Sequence, residues 1–274
     1  MAEGKLSRAR PRSGHRGGPG AVAAALIILG ALSCPTMSFG LAPKQRTDHN
    51  WAGYAITAQT PLQQIRGVWT QPSITCGERP TYSAFWVGLG GFKPKARLLE
   101  QIGTKTRCVS GRPDVSAFYE IYPTLGGRLG LTILPGDQIV ASVTVLGHRV
   151  SMSLYNATIH QGRTRNFLIG KPDTSSAEWI AEAPAFSCGN NCLFLLPLAN
   201  FGEITFTEAE ASTNSARMEA ITSTTFSANQ LQLRDKKGLT SKKPGRPLAH
   251  GSEGEAAAGD LTSTGTSFGV TWER

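Results

Sequence analysis

The feature that most constrains the fold is a period of two in the placement of apolar residues. Such a period puts every second side chain on one face of a strand. No run has the 3.6-residue period of an amphipathic helix longer than about two turns. Strands without helices must cover one another's apolar faces, so the pattern predicts an all-β sandwich or barrel. The alternating apolar positions are Ile139, Ala141, Val143 and Val145; Val150, Met152 and Leu154; Ile204 and Phe206; and Phe268, Val270 and Trp272.

Residues 1–40 have the organisation of a secretory signal peptide, and residues 41–49 form a short segment before the domain. Four arginines precede an apolar run from Ala21 to Leu32, and the small residues Ser38 and Gly40 follow it. This order predicts cleavage after Gly40 and a protein exported to the periplasm or the outside. A retained membrane anchor is the alternative, but the apolar run is short for a spanning helix. We therefore expect no stable membrane association after cleavage, and a monomer.

The basic character of the chain is local. The first 40 residues carry five basic and one acidic residue, so the net charge of +9 falls to +5 without them, and Arg234–Arg246 alone carries +5. No aromatic residues interleave with these charges as a stacking platform for nucleic acid would require, so nucleic acid is not an expected partner. Residues 235–264, rich in Lys, Gly, Pro, Ser and Ala, predict a flexible loop inside a single domain spanning residues 50–274.

Four cysteines remain after cleavage, and an even number in an exported chain suggests two disulfides. Cys188 and Cys192 can close a tight local loop, and Cys76 and Cys108 would then pair by elimination. No histidine stands at ligand spacing to these cysteines, so we expect no metal site.

The segment Ser176–Glu182 places two carboxylates beside Trp179 in an apolar run. On a strand, Glu178, Ile180 and Glu182 share one face. Burial raises the pKa of a carboxyl group and makes it a possible proton donor or acceptor. The alternative is a solvated sheet face.

Other catalytic signatures are missing or incomplete. The sequence has no G-x-S-x-G elbow, H-E-x-x-H motif or phosphate-binding glycine loop. Asp173-Thr174-Ser175 resembles half of a pepsin-type site, but no second copy supplies the partner carboxylate. Phe118, Glu120 and Tyr122 share a strand face. Aromatic rings beside carboxylates suit a polysaccharide or an extended peptide, and the residues alone leave both open.

Eight short segments follow one another in a recognisable order. They are Asn50–Gly53, Gly67–Ser73, Trp86–Gly91, Leu99–Gly103, Phe118–Pro123, Ala177–Ile180, Ala199–Gly202 and Thr266–Trp272. Together they resemble the glutamic peptidases, or eqolisins, and they cover nearly all of residues 50–272. Each segment is a weak signal alone, but eight in order are specific.

The resemblance implies a β-sandwich of two large antiparallel sheets, lectin-like in outline (a concanavalin-like jelly roll), with the site on its concave face. It also implies a pepstatin-insensitive endopeptidase without metal or organic cofactor. By this resemblance Glu178 is the general base that activates water and then the acid that protonates the leaving amine. Gln101 orients the water and donates its amide N–H to the oxyanion, a task suited to a neutral donor.

The resemblance further implies that Trp51, Trp86, Glu120 and Tyr122 line the substrate cleft. For the two tryptophans, core packing is the alternative. A lightly perturbed glutamate has a pKa of about 4.3, which predicts an acidic pH optimum for a polypeptide-cleaving enzyme.

Two departures from the family and two rival functions qualify this picture. Fungal members carry Asp where this chain has Gly90 and Lys105, and a nearby Lys105 is expected to lower the pKa of Glu178. One rival is a glycoside hydrolase using Glu120 and Glu178, which requires their carboxyl groups about 5–5.5 Å or about 6.5–9.5 Å apart. The other rival is a catalytically inactive binding protein.

Overall fold

The computed structural model describes residues 41–187, 193–214, 217–234 and 254–274. Within these ranges every regular element is a strand and no helix occurs, which confirms the all-β expectation. The strands are β1 (Lys44–Asp48), β2 (Trp51–Ala58), β3 (Gln64–Thr70), β4 (Thr81–Gly90), β5 (Leu99–Val109), β6 (Arg112–Tyr122), β7 (Leu125–Arg128), β8 (Gln138–Leu146), β9 (Arg149–Asn156), β10 (Gln161–Leu168), β11 (Ala177–Glu182), β12 (Ala185–Ser187), β13 (Leu193–Leu195), β14 (Glu203–Ser212), β15 (Glu219–Ala220), β16 (Phe226–Leu233), β17 (Glu255–Ala258) and β18 (Phe268–Glu273).

Sixteen of these strands join into one sheet, and only β12 and β13 form a separate pair. The order is β10-β9-β8-β3-β14-β18-β17-β16-β2-β11-β4-β5-β6-β7, with β15 added to β14 and β1 added to β16 in parallel. We call the part from β16 to β7, with β1, the front half, and the part from β10 to β17, with β15, the back half. The expected two sheets are therefore two halves of one sheet, because β16 pairs with β2 along residues 226–231 and with β17 at Gln232 and Leu233.

The main core lies between the two halves and is built from the alternating residues. On β8, Ile139, Ala141 and Val143 are fully buried, as the period of two predicts. Trp179 of β11 joins the halves, because its indole N–H donates to the Arg66 carbonyl of β3 at 2.7 Å. The close approach requires a glycine at position 67, where a Cβ would lie 2.9 Å from the Trp179 ring.

A disulfide between Cys76 and Cys108 ties the segment before β4 to β5, confirming that pairing. The expected Cys188–Cys192 disulfide and the expected signal peptide lie outside the described residues. Among the described residues there is no helix long and apolar enough to cross a membrane.

The predicted flexible loop, residues 235–264, is wrong at residues 255–258. Residues 235–253 lie outside the described ranges, but Glu255–Ala258 form β17 between β16 and β18. Ala256 and Ala258 are buried and alternate with partly exposed neighbours. Small residues gave this segment the composition of a loop, whereas each alanine fits a crowded position in the sheet.

Candidate active site

The register of four neighbouring strands brings the predicted catalytic residues into one row. Glu178 of β11 stands opposite Gly88 of β4, Gly88 stands opposite Gln101 of β5, and Gln101 stands opposite Glu120 of β6. Directly opposed residues point to the same face of a sheet. We call this the site face of the front half. The backbones that carry Glu178 and Gln101 are about 10 Å apart, and Gly88 has no side chain between them.

An apolar cluster separate from the main core surrounds this row on the site face. Its buried members come from β2, β4, β5, β6, β11 and β16, and two partly exposed aromatic residues pack on it. The cluster consists of Ala55, Ala84, Trp86, Leu99, Phe118, Ile180 and Leu231, with Trp51 and Phe92 against it. A carboxyl group in such surroundings is poorly hydrated, so its charged form is disfavoured.

Glu178 is the most perturbed carboxyl group of the site. It has no exposed surface, and neither of its oxygens has a hydrogen-bond partner of good geometry. Burial raises its pKa well above the ordinary value of 4.5; the nearby Ser176 hydroxyl opposes this rise, while Asp173 and Glu100 add to it. The group therefore gains and loses its proton at a higher pH than an exposed glutamate does.

Lys105 does not act on Glu178 as expected. It stands opposite Ala84, four residues along β5 from Gln101, and its ammonium lies 5.6 Å from the centre of the Phe118 ring. Its charge lowers the pKa of Glu120 instead. The expected lowering of the Glu178 pKa required Lys105 to lie close to Glu178, and this condition is not met because the lysine acts on Glu120.

Gln101 and Glu120 form a hydrogen-bonded pair. The Gln101 amide Nε2 donates to Glu120 Oε2 at 2.7 Å, while Gln101 Oε1 has no partner. Burial raises the pKa of Glu120, and the hydrogen bond from Gln101 opposes that rise. An amide nitrogen carries two hydrogens. One is held by Glu120, so the amide plane is fixed and the second N–H remains for a ligand.

Trp51 and Trp86 meet edge to face, with ring centroids 5.1 Å apart. Trp86 donates its indole N–H to Glu182 Oε2 at 2.7 Å, and the Asn50 amide donates to Glu182 Oε1 at 3.0 Å. Burial raises the pKa of Glu182 to about 7 against the effect of the Trp86 hydrogen bond. Trp86 has no exposed surface, so it packs beneath Trp51, which is only partly buried.

Three acidic residues near the site are not among the predicted catalytic or substrate-binding residues. The alternation of β11 already places one of them, Glu182, on the face of Glu178. Glu100 and Asp173 meet from distant parts of the chain, where the Asp173 backbone N–H donates to Glu100 Oε1 at 3.1 Å. No local pattern reveals such a contact. Tyr122, at the end of β6, is 47% exposed and open to a ligand.

The geometry does not favour a glycosidase pair. Three strand spacings, about 14 Å between backbones, separate Glu178 from Glu120. The Glu120 carboxylate is also engaged by Gln101. Among the described residues, no group of three or more His, Cys, Asp or Glu side chains is arranged to hold a metal ion.

Comparison with known proteins shows the family and the fold. Residues 49–243 match the family model described as Peptidase A4 family, and the chain belongs to this family. Aspergillopepsin-2 of Aspergillus niger is 29% identical over 187 residues, which cover 60% of this chain and 64% of that protein. The match thus spans somewhat less than two thirds of that relative.

Two solved structures show the same fold. Scytalido-glutamic peptidase with a transition state analog inhibitor superposes with a TM-score of 0.63 at 20% identity, over 82% of this chain and 99% of that one. Aspergilloglutamic peptidase from Aspergillus niger gives a TM-score of 0.50 at 24% identity, over 70% and 99% of the two chains.

Proposed function

We propose that this protein is an endopeptidase that hydrolyses peptide bonds through Glu178 and Gln101, without a metal or organic cofactor. The observation that carries the proposal is their register, in which both side chains flank Gly88 on one face. Membership of the peptidase A4 family supports the same reaction. Polypeptides are the proposed substrates.

In the proposed reaction, ionised Glu178 takes a proton from a water molecule as the water oxygen attacks the peptide carbonyl carbon. The carbonyl π electrons move to oxygen, and the free N–H of Gln101 stabilises the resulting negative charge. Glu178 then returns the proton to the amide nitrogen as the C–N bond breaks. The products are a carboxylic acid and an amine, and Glu178 is ionised again.

Glu120, Trp51, Trp86 and Tyr122 have supporting roles in this proposal. Glu120 holds the Gln101 amide in one orientation through their 2.7 Å hydrogen bond. Trp51 and Tyr122 offer partly exposed rings to the substrate, and Trp86 supports Trp51 from below. Aromatic faces suit the apolar and backbone parts of an extended peptide.

The proposed working range is weakly acidic. The base must be ionised, and burial raises the pKa of Glu178 above 4.5. We therefore expect activity to rise with pH above the value for an ordinary glutamate, rather than to peak in strong acid.

We also propose that the protein is exported and acts as a monomer outside the cytoplasm. The Cys76–Cys108 disulfide supports this location, because disulfides persist in oxidising compartments. The basic, apolar and small-residue order of residues 1–40 supports export through a cleaved signal peptide.

The test uses the full chain expressed with export and purified as the mature protein. Casein cleavage is measured from pH 2 to 8 with pepstatin for wild type, Gln101→Ala and Glu178→Ala, beside the exposed controls Gln138→Ala and Glu203→Gln. Pepstatin-resistant cleavage that both site variants lose and both controls keep supports the proposal. Sugar hydrolysis that Gln101→Ala only weakens would indicate the glycosidase, and casein binding without turnover would indicate a binding protein.

A further inference from the structure

We propose that Asp173 and Glu100 are positioning residues for Glu178. Glu100 holds the turn that delivers Glu178 to the site face, and Asp173 sets the pH range in which Glu178 exchanges its proton. The inference rests on the proposed function and adds two residues that neither the dyad nor its supporting aromatic residues include.

The turn before β11 is attached to β4, to β5 and to the segment just before β3. The Asp173 N–H donates to Glu100 Oε1 at 3.1 Å, and the Leu62 N–H, just before β3, donates to the Thr174 carbonyl at 2.9 Å. The Gly90 N–H at the end of β4 donates to the Ser176 carbonyl at 2.9 Å. These bonds fix the backbone immediately before Glu178, so the direction of its side chain depends on them.

Asp173 occupies the space that a side chain at position 90 would need. Gly90 has φ +83°, and a Cβ built there would lie 2.5 Å from the Asp173 Cβ and 2.9 Å from its Cγ. Asp173 Oδ1 also accepts the Ser175 N–H at 2.9 Å, which locks the side chain against the turn. A carboxylate from the turn thus stands beside β4, where Gly90 itself offers none.

Glu100 is unusual because one of its buried oxygens has no partner. The residue has no exposed surface, its Oε1 accepts the Asp173 N–H, and its Oε2 has no hydrogen bond. Burial raises the pKa of Glu100 to about 8, against the hydrogen bond from the Asp173 backbone, so the group is neutral throughout the acidic range.

Among the titratable groups near Glu178, Asp173 has the largest electrostatic effect on its pKa. The neighbouring strands β2 and β4 place Ala55 and Gly88 opposite it, and neither titrates. Glu182 lies two residues beyond Ile180 on β11, held by Trp86 and Asn50. The more distant strands β5 and β6 carry Glu100, Lys105 and Glu120, and the two that affect the Glu178 pKa electrostatically are Asp173 and Glu100. Of these two, Asp173 has the larger effect, and its charge disfavours ionisation of Glu178.

The first experiment measures kcat/KM against pH for wild type and Asp173→Asn, with the exposed Asp114→Asn as control. The asparagine keeps the Oδ1 acceptor for the Ser175 N–H but removes the charge. We expect the acid limb of the profile to shift to lower pH by about half to one pH unit in Asp173→Asn, because the Glu178 pKa falls. It should keep its position in Asp114→Asn. An unchanged limb, or an equal shift in both variants, overturns the proposal.

The second experiment compares Glu100→Gln with Glu100→Leu. Glutamine keeps an oxygen acceptor for the Asp173 N–H, whereas leucine fills the space without one. We expect kcat to fall about tenfold or more in Glu100→Leu with KM little changed, and the fall to be largely rescued in Glu100→Gln. Equal activity in the two variants overturns the holding role. If Glu100→Leu does not fold, a wild-type kcat for Glu100→Gln against a tenfold loss in Glu100→Ala decides the same point.

The two proposals fail separately. Casein cleavage by Glu178→Ala at the wild-type rate removes the proposed function itself. Loss of cleavage in Glu178→Ala together with an unshifted Asp173→Asn profile leaves the peptidase function standing and removes only the role of Asp173.

Discussion

The two faces of β11 differ in how their buried polar groups are paired. On the inner face, Trp179 is fully buried and its one polar atom is satisfied by the Arg66 carbonyl. On the site face, Glu178 is equally buried and neither of its oxygens is satisfied. Buried polar groups are nearly always paired in native proteins. The inner face therefore serves stability, whereas the site face keeps a costly buried carboxyl group, which fits the proposed catalytic role of Glu178.

The sharpest test of this contrast is Glu178→Gln. It keeps the shape of the side chain and removes the ionisable group, so peptide cleavage should fall by about 10³-fold or more through loss of the general base. The same change should raise the melting temperature at pH 8, because a carboxyl group with a raised pKa destabilises the fold there. Lower stability at pH 8 would contradict the contrast.

Trp179→Ala tests the inner face. It should lower the free energy of unfolding by about 3–5 kcal/mol, because it leaves a cavity between the halves and an unpaired Arg66 carbonyl. Trp179→Phe, which fills most of the cavity, should lose less. Urea denaturation of both variants provides the measurement, and the activity of whatever fraction remains folded should be close to wild type.

Glu182→Gln separates the second carboxyl group of the site face from the first. Burial raises the Glu182 pKa from 4.5 to about 7, so the fold loses stability as pH rises from 4.5 through 7. Each unit of such a shift corresponds to about 1.4 kcal/mol as an upper limit. The free energy of unfolding, measured by urea denaturation at pH 4.5 and 7.5, should therefore change less between these pH values in Glu182→Gln than in wild type. The two changes should differ by about 1–3 kcal/mol. An unchanged difference would show that Glu182 does not titrate there.

Gly88→Ala should act mainly on activity. A Cβ there would lie 2.9 Å from Leu99 Cδ1 and 3.1 Å from the Glu100 carbonyl oxygen. The methyl group enters the gap between Glu178 and Gln101, so we expect kcat to fall about 10- to 100-fold with the fold retained. Steady-state kinetics beside circular dichroism measures both, and wild-type kcat would mean that the gap has no catalytic role.

The positions of the strands could be predicted from the sequence better than the pairing between them. The period of two identified β8, β9 and the common face of Glu178 and Glu182, because alternation is a local property. The site itself depends on register between distant segments, such as Asp173 against Glu100, 73 residues apart. Lys105 is an example of a neighbour that could not be predicted without this register. Its position in sequence suggested Glu178 as its neighbour, whereas its place four residues beyond Gln101 on β5 lets its charge act on Glu120.

The outermost strand of the back half has a consequence for self-association. Among the described residues β10 pairs only with β9, so its other side presents free backbone donors and acceptors. Such an edge can pair with extended chains, and the peptide products of a peptidase are chains of this kind. Arg163 and Arg165 lie on this strand and are exposed, as are most of its residues. Their charge gives the edge a barrier against adding another copy or a peptide fragment, and that barrier should weaken as salt screens it.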